Sequence, residues 1–243
     1  MEITKLVLLF NKDKIILGVV ASILGFTISG LVGQPMSYLL IVVSGLILVN
    51  IMLALFASYK LYDQSNLYKP EKLFSKIKFN DEDQVIFLHA SFDPISRNLE
   101  KLIPPTNLRI YNLYGNRHED EKSIEVSNRV FPPHPKQVDV DPTKLTDDSK
   151  SIDYVLAITS AHEILTQDRR VQFFKEAKRV LKDDGTLILC EQMRNWINFL
   201  FFNIGAFHFV SFKNWEDAIN ASGMRITKEE KLTRWGTILY IQK

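Results

Sequence analysis

The chain has 243 residues, 46% of them hydrophobic, and a formal net charge of +2. That length holds one catalytic-sized domain and a small accessory piece. The charges alternate in sign without a basic, aromatic-interleaved stripe, which argues against nucleic-acid binding. The single cysteine, Cys190, excludes an intrachain disulfide and fits a reducing compartment.

Residues 15–33 and 38–58 carry no charged side chain. At 1.5 Å rise per residue, each makes a helix of roughly 30 Å, the thickness of a hydrocarbon core. Between them, Gln-Pro-Met-Ser leaves room only for a tight turn. Residues 1–60 are therefore expected to form a transmembrane hairpin anchored in the lipid bilayer. Lys5, Lys12 and Lys14 precede the first run, Lys60, Lys69 and Lys72 follow the second, and the turn has no lysine. Positive-inside reasoning puts both termini and the soluble domain in the cytoplasm. A cleaved signal peptide would leave the second run unexplained. Ala21, Gly25, Ser29 and Gly33 recur every four residues, a small-residue face expected to pack near Ser44 and Gly45, or on a second copy as a homodimer. Asn50 is expected to bond across the same helix pair.

Residues 61–83 are polar and mixed in charge and read as a juxtamembrane linker running into a short helix. From residue 84 onward, strand-like apolar runs (84–90, 108–114, 137–140, 153–160 and 185–191) alternate with helical patterns. That alternation marks an α/β fold with a parallel sheet. Between the fourth and fifth runs, Val171, Phe174, Ala177, Val180 and Leu181 define one buried helical stripe, and Gly185 is expected to end that helix. A second amphipathic helix covers 213–222, closed by Gly223. The last 20 residues read as an antiparallel hairpin. Fold class follows: a Rossmann-like, doubly wound sheet of seven strands with an antiparallel terminal strand, over residues 84–243.

Three stretches, "LTDDSKSIDYVLAITSAHEI", "FFKEAKRVLKDDGTLILCEQ" and "SFKNWEDAINASGMRI", resemble the second half of class I S-adenosylmethionine-dependent methyltransferases. Asp141, Leu145 and Asp153 keep that family's spacing before and into the fourth strand, and "RVLKDDG" resembles its approach to the fifth. "AHE" at 161–163 and "HF" at 208–209 resemble a narrower methyltransferase-like group. The resemblance implies S-adenosylmethionine as cofactor, bound outside the carboxyl ends of the strands. It places the loop of Ala90, Ser91 and Asp93 against the methionine portion, with Asp93 meeting the ammonium group. Asn112 stands where an acidic residue usually pairs with the ribose hydroxyls. Asp141 is the candidate for the adenine amino group, and the loop at Ser160 closes the same crevice.

"VIFLHASFDPIS", residues 85–96, departs from the family in having no glycine where the backbone must approach the ligand. Ala90 and Ser91 are small enough to allow that approach if their backbone angles are ordinary.

His162, Glu163 and Glu191 should project into the crevice as catalytic candidates. His162 suits a general base because its unperturbed pKa lies near neutrality; a loop-tying bond to a backbone carbonyl is its other use. Glu191 orients substrate or braces Arg194. No metal is expected, since His162, Glu163, Glu191 and His208 show no HExxH-like spacing. "NWINFLFFNIGAFHF", residues 195–209, is expected to cover an apolar substrate, dip into the bilayer surface, or complete the core. The resulting expectation is a membrane-anchored methyltransferase acting on an apolar, membrane-associated small molecule. The alternative is a catalytically inactive methyltransferase fold serving as a tethered interaction module. A nicotinamide oxidoreductase is disfavoured by the missing glycine fingerprint.

Overall fold

The structure is a computed structural model that describes residues 3–115 and 122–243. It opens with a short helix the sequence did not announce, α1 (Ile3–Phe10). The first amides of a helix have no intrahelical acceptor. Here Asp63 supplies one, accepting from the backbone N–H of Ile3 at 2.6 Å and Thr4 at 3.0 Å.

Helices α2 (Lys12–Ser29) and α3 (Met36–Ser58) follow. The first apolar run is helical only as far as Ser29, and Lys12, Asp13 and Lys14 fill the first turn of α2. Its uncharged helical part therefore spans about 22 Å at 1.5 Å per residue, shorter than the expected span of 15–33. Helix α3 runs without a break through a π-helical turn, Tyr59–Gln64. The combined helix, Met36–Gln64, has 29 residues and is long and apolar enough to cross a membrane; among the described residues it alone meets both criteria.

The small-residue face packs within the chain at Gly25, where a Cβ would lie 2.1 Å from Ser44 Oγ, and at Gly18, where it would lie 3.0 Å from Ile51 Cδ1. Gly33 and Gly45 meet nothing within 4 Å. Asn50 does not bond to α2. Its Nδ2 donates to the carbonyl of Leu200 and its Oδ1 accepts from Asn203 Nδ2, each at 3.4 Å. The polar atom mid-helix thus holds the aromatic segment against α3.

The sheet domain contains α4 (Pro70–Leu73), β1 (Val85–His89), α5 (Ser96–Leu99), β2 (Leu108–Asn112), α6 (Lys122–Val130), β3 (Val138–Asp139) and β4 (Ile152–Ile158). It continues with α7 (Gln167–Val180), β5 (Leu181–Gln192), α8 (Trp196–Phe202), α9 (Phe212–Ala221), β6 (Arg225–Lys231) and β7 (Gly236–Gln242). Strand order is β3-β2-β1-β4-β5-β7-β6. Strands β1 to β5 are parallel, while β7 runs antiparallel to β5 and to β6. This is the seven-stranded α/β sheet expected, with the antiparallel strand in place.

Strand side chains alternate between two faces. Ile86, Leu88, Val155 and Leu187 share one core with Phe174 of α7 and Trp215 of α9. Val85, Phe87, Leu156 and Ile188 share the other with Ala57, Leu61, Leu67 and Phe74. Residues 61–83 are therefore not a free linker. Their apolar side chains roof one face of the sheet, each worth about 1.5–3 kcal/mol of burial. Mixed charge hid this because the inward residues, Leu61, Leu67, Leu73 and Phe74, follow no regular spacing.

Gly185 is also reassigned. Helix α7 ends at Val180, and Leu181 is already extended. Gly185 lies within β5, where a Cβ would meet the carbonyl oxygen of Ile152 at 3.0 Å and that of Asp153 at 3.1 Å. Close backbone packing, not helix capping, requires the glycine. Gly223, at φ +77°, follows α9 as expected.

Candidate active site

Strand β1 ends at His89, and the chain turns at Ser91 with φ +59°. This is the left-handed region that glycine enters freely and other residues enter at a cost. The backbone angle is thus not ordinary: a serine holds a conformation that glycine adopts most readily. Thr159, which follows β4, also has a positive φ of 49°. Strained non-glycine residues in adjacent strand-end loops are a feature of functional sites.

Side chains hold this turn in place. Asn112, the last residue of β2, accepts at Oδ1 from the backbone N–H of Ser91 at 2.9 Å and of Tyr114 at 3.2 Å. Its Nδ2 donates to Asp139 Oδ1 at 2.9 Å. Asn112 therefore links the ends of β1, β2 and β3, with its acceptor atom committed inside the protein. Asp93 is committed as well. Its Oδ1 accepts from the backbone N–H of Ile95 at 3.0 Å and Ser96 at 2.8 Å, and its Oδ2 accepts from Ser96 Oγ. It organises the start of α5 instead of presenting a free carboxylate. Ala90 forms an isolated bridge with Phe92, and Ser160 Oγ donates to the carbonyl of Leu88 at 2.8 Å.

Beside this turn lies a cavity of about 480 Å³, whose lining includes Ser91, Asn112, Gly115, Asn128, Gln137 and Asp139. Three of these polar residues, Asn128, Gln137 and Asp139, were missed in the sequence. Asp139 ends β3 and aims its carboxylate at Asn112 and the cavity. Gln137 carries a buried Oε1 with no partner among the described residues. The available signal was the run "QVDV", read there only as a strand. Asp141, two residues on, does not line this cavity. It accepts from the backbone N–H of Thr143 at 2.9 Å, from Thr143 Oγ1 at 2.7 Å and from Arg169 Nη2 at 2.8 Å. Partial burial would raise its carboxyl, but the Thr143 hydrogen bonds and the Arg169 guanidinium outweigh that and hold it below the usual range.

His89 lies under the same loop, buried, with both ring nitrogens unpartnered among the described residues. Burial, opposed by the carboxylates of Asp93 and Asp139, pushes its imidazole below its ordinary value. It is accordingly a neutral ring, stacked on Phe87 with centroids 5.9 Å apart.

The three catalytic candidates do come together, at the ends of β4 and β5. His162 Nδ1 lies 2.8 Å from Glu191 Oε2, and its backbone N–H donates to Glu191 Oε1 at 3.2 Å. Glu191 is 2% exposed. It therefore orients His162 and does not brace Arg194. Glu163 Oε1 lies 3.6 Å from His162 Nε2 and 3.1 Å from His208 Nε2. His208 reaches the cluster from the 3₁₀ turn Asn203–His208, which follows α8. Burial alone would push the His162 imidazole down. The Glu191 carboxylate, by charge and hydrogen bond, and Glu163 more than offset this, and the net shift is upward.

A second, larger cavity of about 1010 Å³ lies between the helical hairpin and the aromatic segment. Val7, Gly18, Ile47, Asn50, Phe202 and Phe209 are among its walls. Trp196, Leu200, Ile204 and Phe207 of that segment stand exposed, Leu200 and Ile204 at the cavity itself. Asn198 anchors the segment from within, donating to the carbonyls of Met193 at 2.7 Å and Trp235 at 3.2 Å.

The first cavity has the size of a small-ligand site. Its acceptors, the Asp139 carboxylate and the Gln137 side-chain carbonyl, suit the hydroxyl and amino groups of a nucleoside. The residues fit that part of S-adenosylmethionine. Asp93 does not present a free carboxylate to the ammonium group.

Residues 114–189 match the family model of a methyltransferase domain. No curated protein matches the chain. Among solved structures, it is similar to a SAM-dependent methyltransferase from Aquifex aeolicus, with 14% identity and a TM-score of 0.54 over 75% of this chain and 92% of that one. An S-adenosylmethionine-dependent methyltransferase from Clostridium acetobutylicum superposes with a TM-score of 0.51 and 11% identity, over 77% and 96%. A third similar chain, from the complex of the Haloferax volcanii methyltransferase activator Trm112 with a methyltransferase, has a TM-score of 0.51 and 12% identity, over 79% and 93%. At such identities the likeness shows the fold. The match over residues 114–189 supports S-adenosylmethionine as the cofactor, and the sheet domain has the fold of these S-adenosylmethionine-dependent methyltransferases.

Proposed function

We propose that the chain is a membrane-anchored methyltransferase whose acceptor is an apolar small molecule drawn from the bilayer. The observation that carries this reading is the 1010 Å³ cavity. One wall is the hairpin helices; the other is the segment that ends in His208, beside His162 and Glu163. An apolar acceptor could pass from lipid to that histidine cluster without crossing water. The exposed Trp196, Leu200, Ile204 and Phe207 would meet lipid at the membrane surface, where their exposure carries no penalty. On this reading both apolar helices enter the bilayer as a multi-pass hairpin. The three charged residues at the start of α2 then mark the membrane surface on the cytoplasmic side, and the soluble domain lies there too.

Asp139 and Gln137 would hold the nucleoside part of S-adenosylmethionine, with the Ser91 turn approaching it closely. The bound cofactor supplies an electrophilic methyl group. His162, oriented through Nδ1 by Glu191, offers Nε2 to take the proton that leaves the acceptor's oxygen or nitrogen as the carbon bond forms. The Glu191 carboxylate, by charge and hydrogen bond, outweighs burial and strengthens His162 as a proton acceptor.

One observation favours a second reading, a methyltransferase fold kept as a tethered interaction module: Asn112 and Asp93 spend their acceptor atoms inside the protein. The two readings separate in one assay. The full chain in lipid vesicles is given S-adenosylmethionine labelled in the methyl group, and organic-extractable label is counted. Incorporation that falls about 10²–10⁴-fold in His162→Ala supports the enzyme. Absence of transfer to any lipid-phase acceptor supports the module.

A further inference from the structure

The cluster at the ends of β4 and β5 has a property that methyl transfer does not require. We propose that His162, Glu163 and His208 form a binding site for one divalent first-row cation, best suited to zinc, with Glu191 as its positioning residue.

The first argument is geometric. One ligand atom from each of the three residues lies within 4.8 Å of the other two. Four-coordinate zinc holds nitrogen and oxygen ligands at about 2.0–2.1 Å, which separates neighbouring ligand atoms by roughly 3.4 Å. The Glu163 Oε1 distances, 3.6 Å to His162 Nε2 and 3.1 Å to His208 Nε2, bracket that value. Closing the third edge requires a small inward shift of His208, whose side chain is 56% exposed and has room to move.

The second argument is the proton arrangement. Ligating histidines almost always donate their other ring N–H to a carboxylate or carbonyl, which fixes the tautomer and leaves the ligating nitrogen bare. Buried Glu191 does this at His162 Nδ1, 2.8 Å away, so the Nε2 lone pair faces Glu163 and His208. Two imidazoles and one carboxylate match zinc-type ions and are poorly suited to magnesium or calcium, which prefer all-oxygen sets. The local charge also permits a cation. Among the described residues, the carboxylates of Glu163 and Glu191 face His162, and Arg170, with Arg194 near it, opposes them.

Three protein ligands leave one coordination position open. The residue after His208 is Phe209, which lines the apolar cavity. An acceptor oxygen or nitrogen arriving by that route could take the open position, where the cation would lower its pKa. In the loaded protein His162 Nε2 is a ligand and no longer a base. The sequence hides such a site, because His208 stands 45 residues from Glu163 and joins it only through the fold.

The test is a zinc titration of the untagged full chain in detergent, after chelator treatment and without S-adenosylmethionine. Stoichiometry is read by elemental analysis and affinity by competition with a chromophoric chelator. The expected result is one zinc per chain. Glu191→Gln should weaken binding by about 10–100-fold, and His208→Ala by more. Cobalt(II) in place of zinc should give the visible absorption of a tetrahedral site, weakened in Glu191→Gln. His208 is exposed, so its loss leaves the fold intact. Absence of zinc binding by the wild-type chain, or equal binding by His208→Ala, would overturn the proposal. Because binding is read without cofactor or acceptor, neither result decides whether the chain transfers methyl groups; bound zinc would replace His162 only in its role as base.

Discussion

Ser91 offers a sharp test of the cofactor turn, because its backbone angle and its side chain make separable contributions. At φ +59° a residue with a Cβ costs roughly 1–2 kcal/mol over its usual conformations. Ser91→Gly removes that cost. Against it stands the extra freedom glycine gives the unfolded chain, about 0.4–1 kcal/mol. The net expectation is a stabilisation of about 0.5–1 kcal/mol, or roughly 1–4 °C in Tm for a domain of this size. Ser91→Ala keeps the Cβ and should change stability by less than about 0.5 kcal/mol. Ser91→Val adds a branched side chain where such residues are rarely found and should be clearly destabilising. Urea and thermal unfolding of the full chain in one detergent give the ranking Gly above Ser and Ala, with Val lowest. A glycine variant that melts below the alanine variant would mean that Ser91 is not held left-handed, and the glycine-like turn would have to be abandoned.

Three further outcomes follow from the same geometry. Asp93→Ala leaves two buried amides without acceptors and should cost about 1–3 kcal/mol in urea unfolding; unchanged stability would free Asp93 for the ligand. Gly25→Leu places side-chain carbon where Ser44 already sits and should cost about 1–3 kcal/mol in detergent, whereas Gly25→Ala needs only a turn of the Ser44 hydroxyl and should be much milder. Equal effects of the two would contradict close packing of α2 on α3. The third concerns pH. His162 is raised in the folded state, so its pairing contributes fully below about pH 6.5 and is lost as pH rises through the higher folded value. The groups facing it are Glu163, Glu191, His208 and Arg170. In chelator, the melting-temperature gap between wild type and Glu191→Gln should be widest in mild acid and narrow toward alkaline pH; a gap that widens instead would reverse the sign argued here.

What the sequence revealed, and what it hid, follows from the range of the interactions. The sheet was legible because β1 (Val85–His89) is buried throughout and the buried part of β4, Val155–Ile158, likewise reads as an apolar run. Helix α7 was legible from its period, although Phe173 and Arg170 turn inward beside the expected stripe. The packing of Leu61, Leu67 and Phe74 was not, because their spacing follows no regular element and their burial depends on a sheet face formed later in the chain. At the site, His162, Glu163 and Glu191 could be placed from strand ends alone. The different settings of Asp139 and Asp141 could not, since Asp139 ends β3, Asp141 stands only two residues on, and the contacts of Asp141 with Thr143 and Arg169 come from the fold. Asn50 was misassigned for a similar reason: a polar residue mid-helix reveals that it needs a partner, but not which one.

The most direct measurement is a calorimetric titration of S-adenosylmethionine into the full chain in detergent, with Asp139→Ala and Asp141→Ala alongside. The account predicts saturable binding by the wild-type protein. Loss of the Asp139 carboxylate should remove a charge-assisted hydrogen bond worth about 1.5–3 kcal/mol, a drop in affinity of roughly 10–150-fold. Asp141→Ala, which breaks an exposed pair with Arg169, should change affinity far less. Absence of binding by folded wild-type protein, or affinity lost in Asp141→Ala and unchanged in Asp139→Ala, would contradict the cofactor site described for this chain.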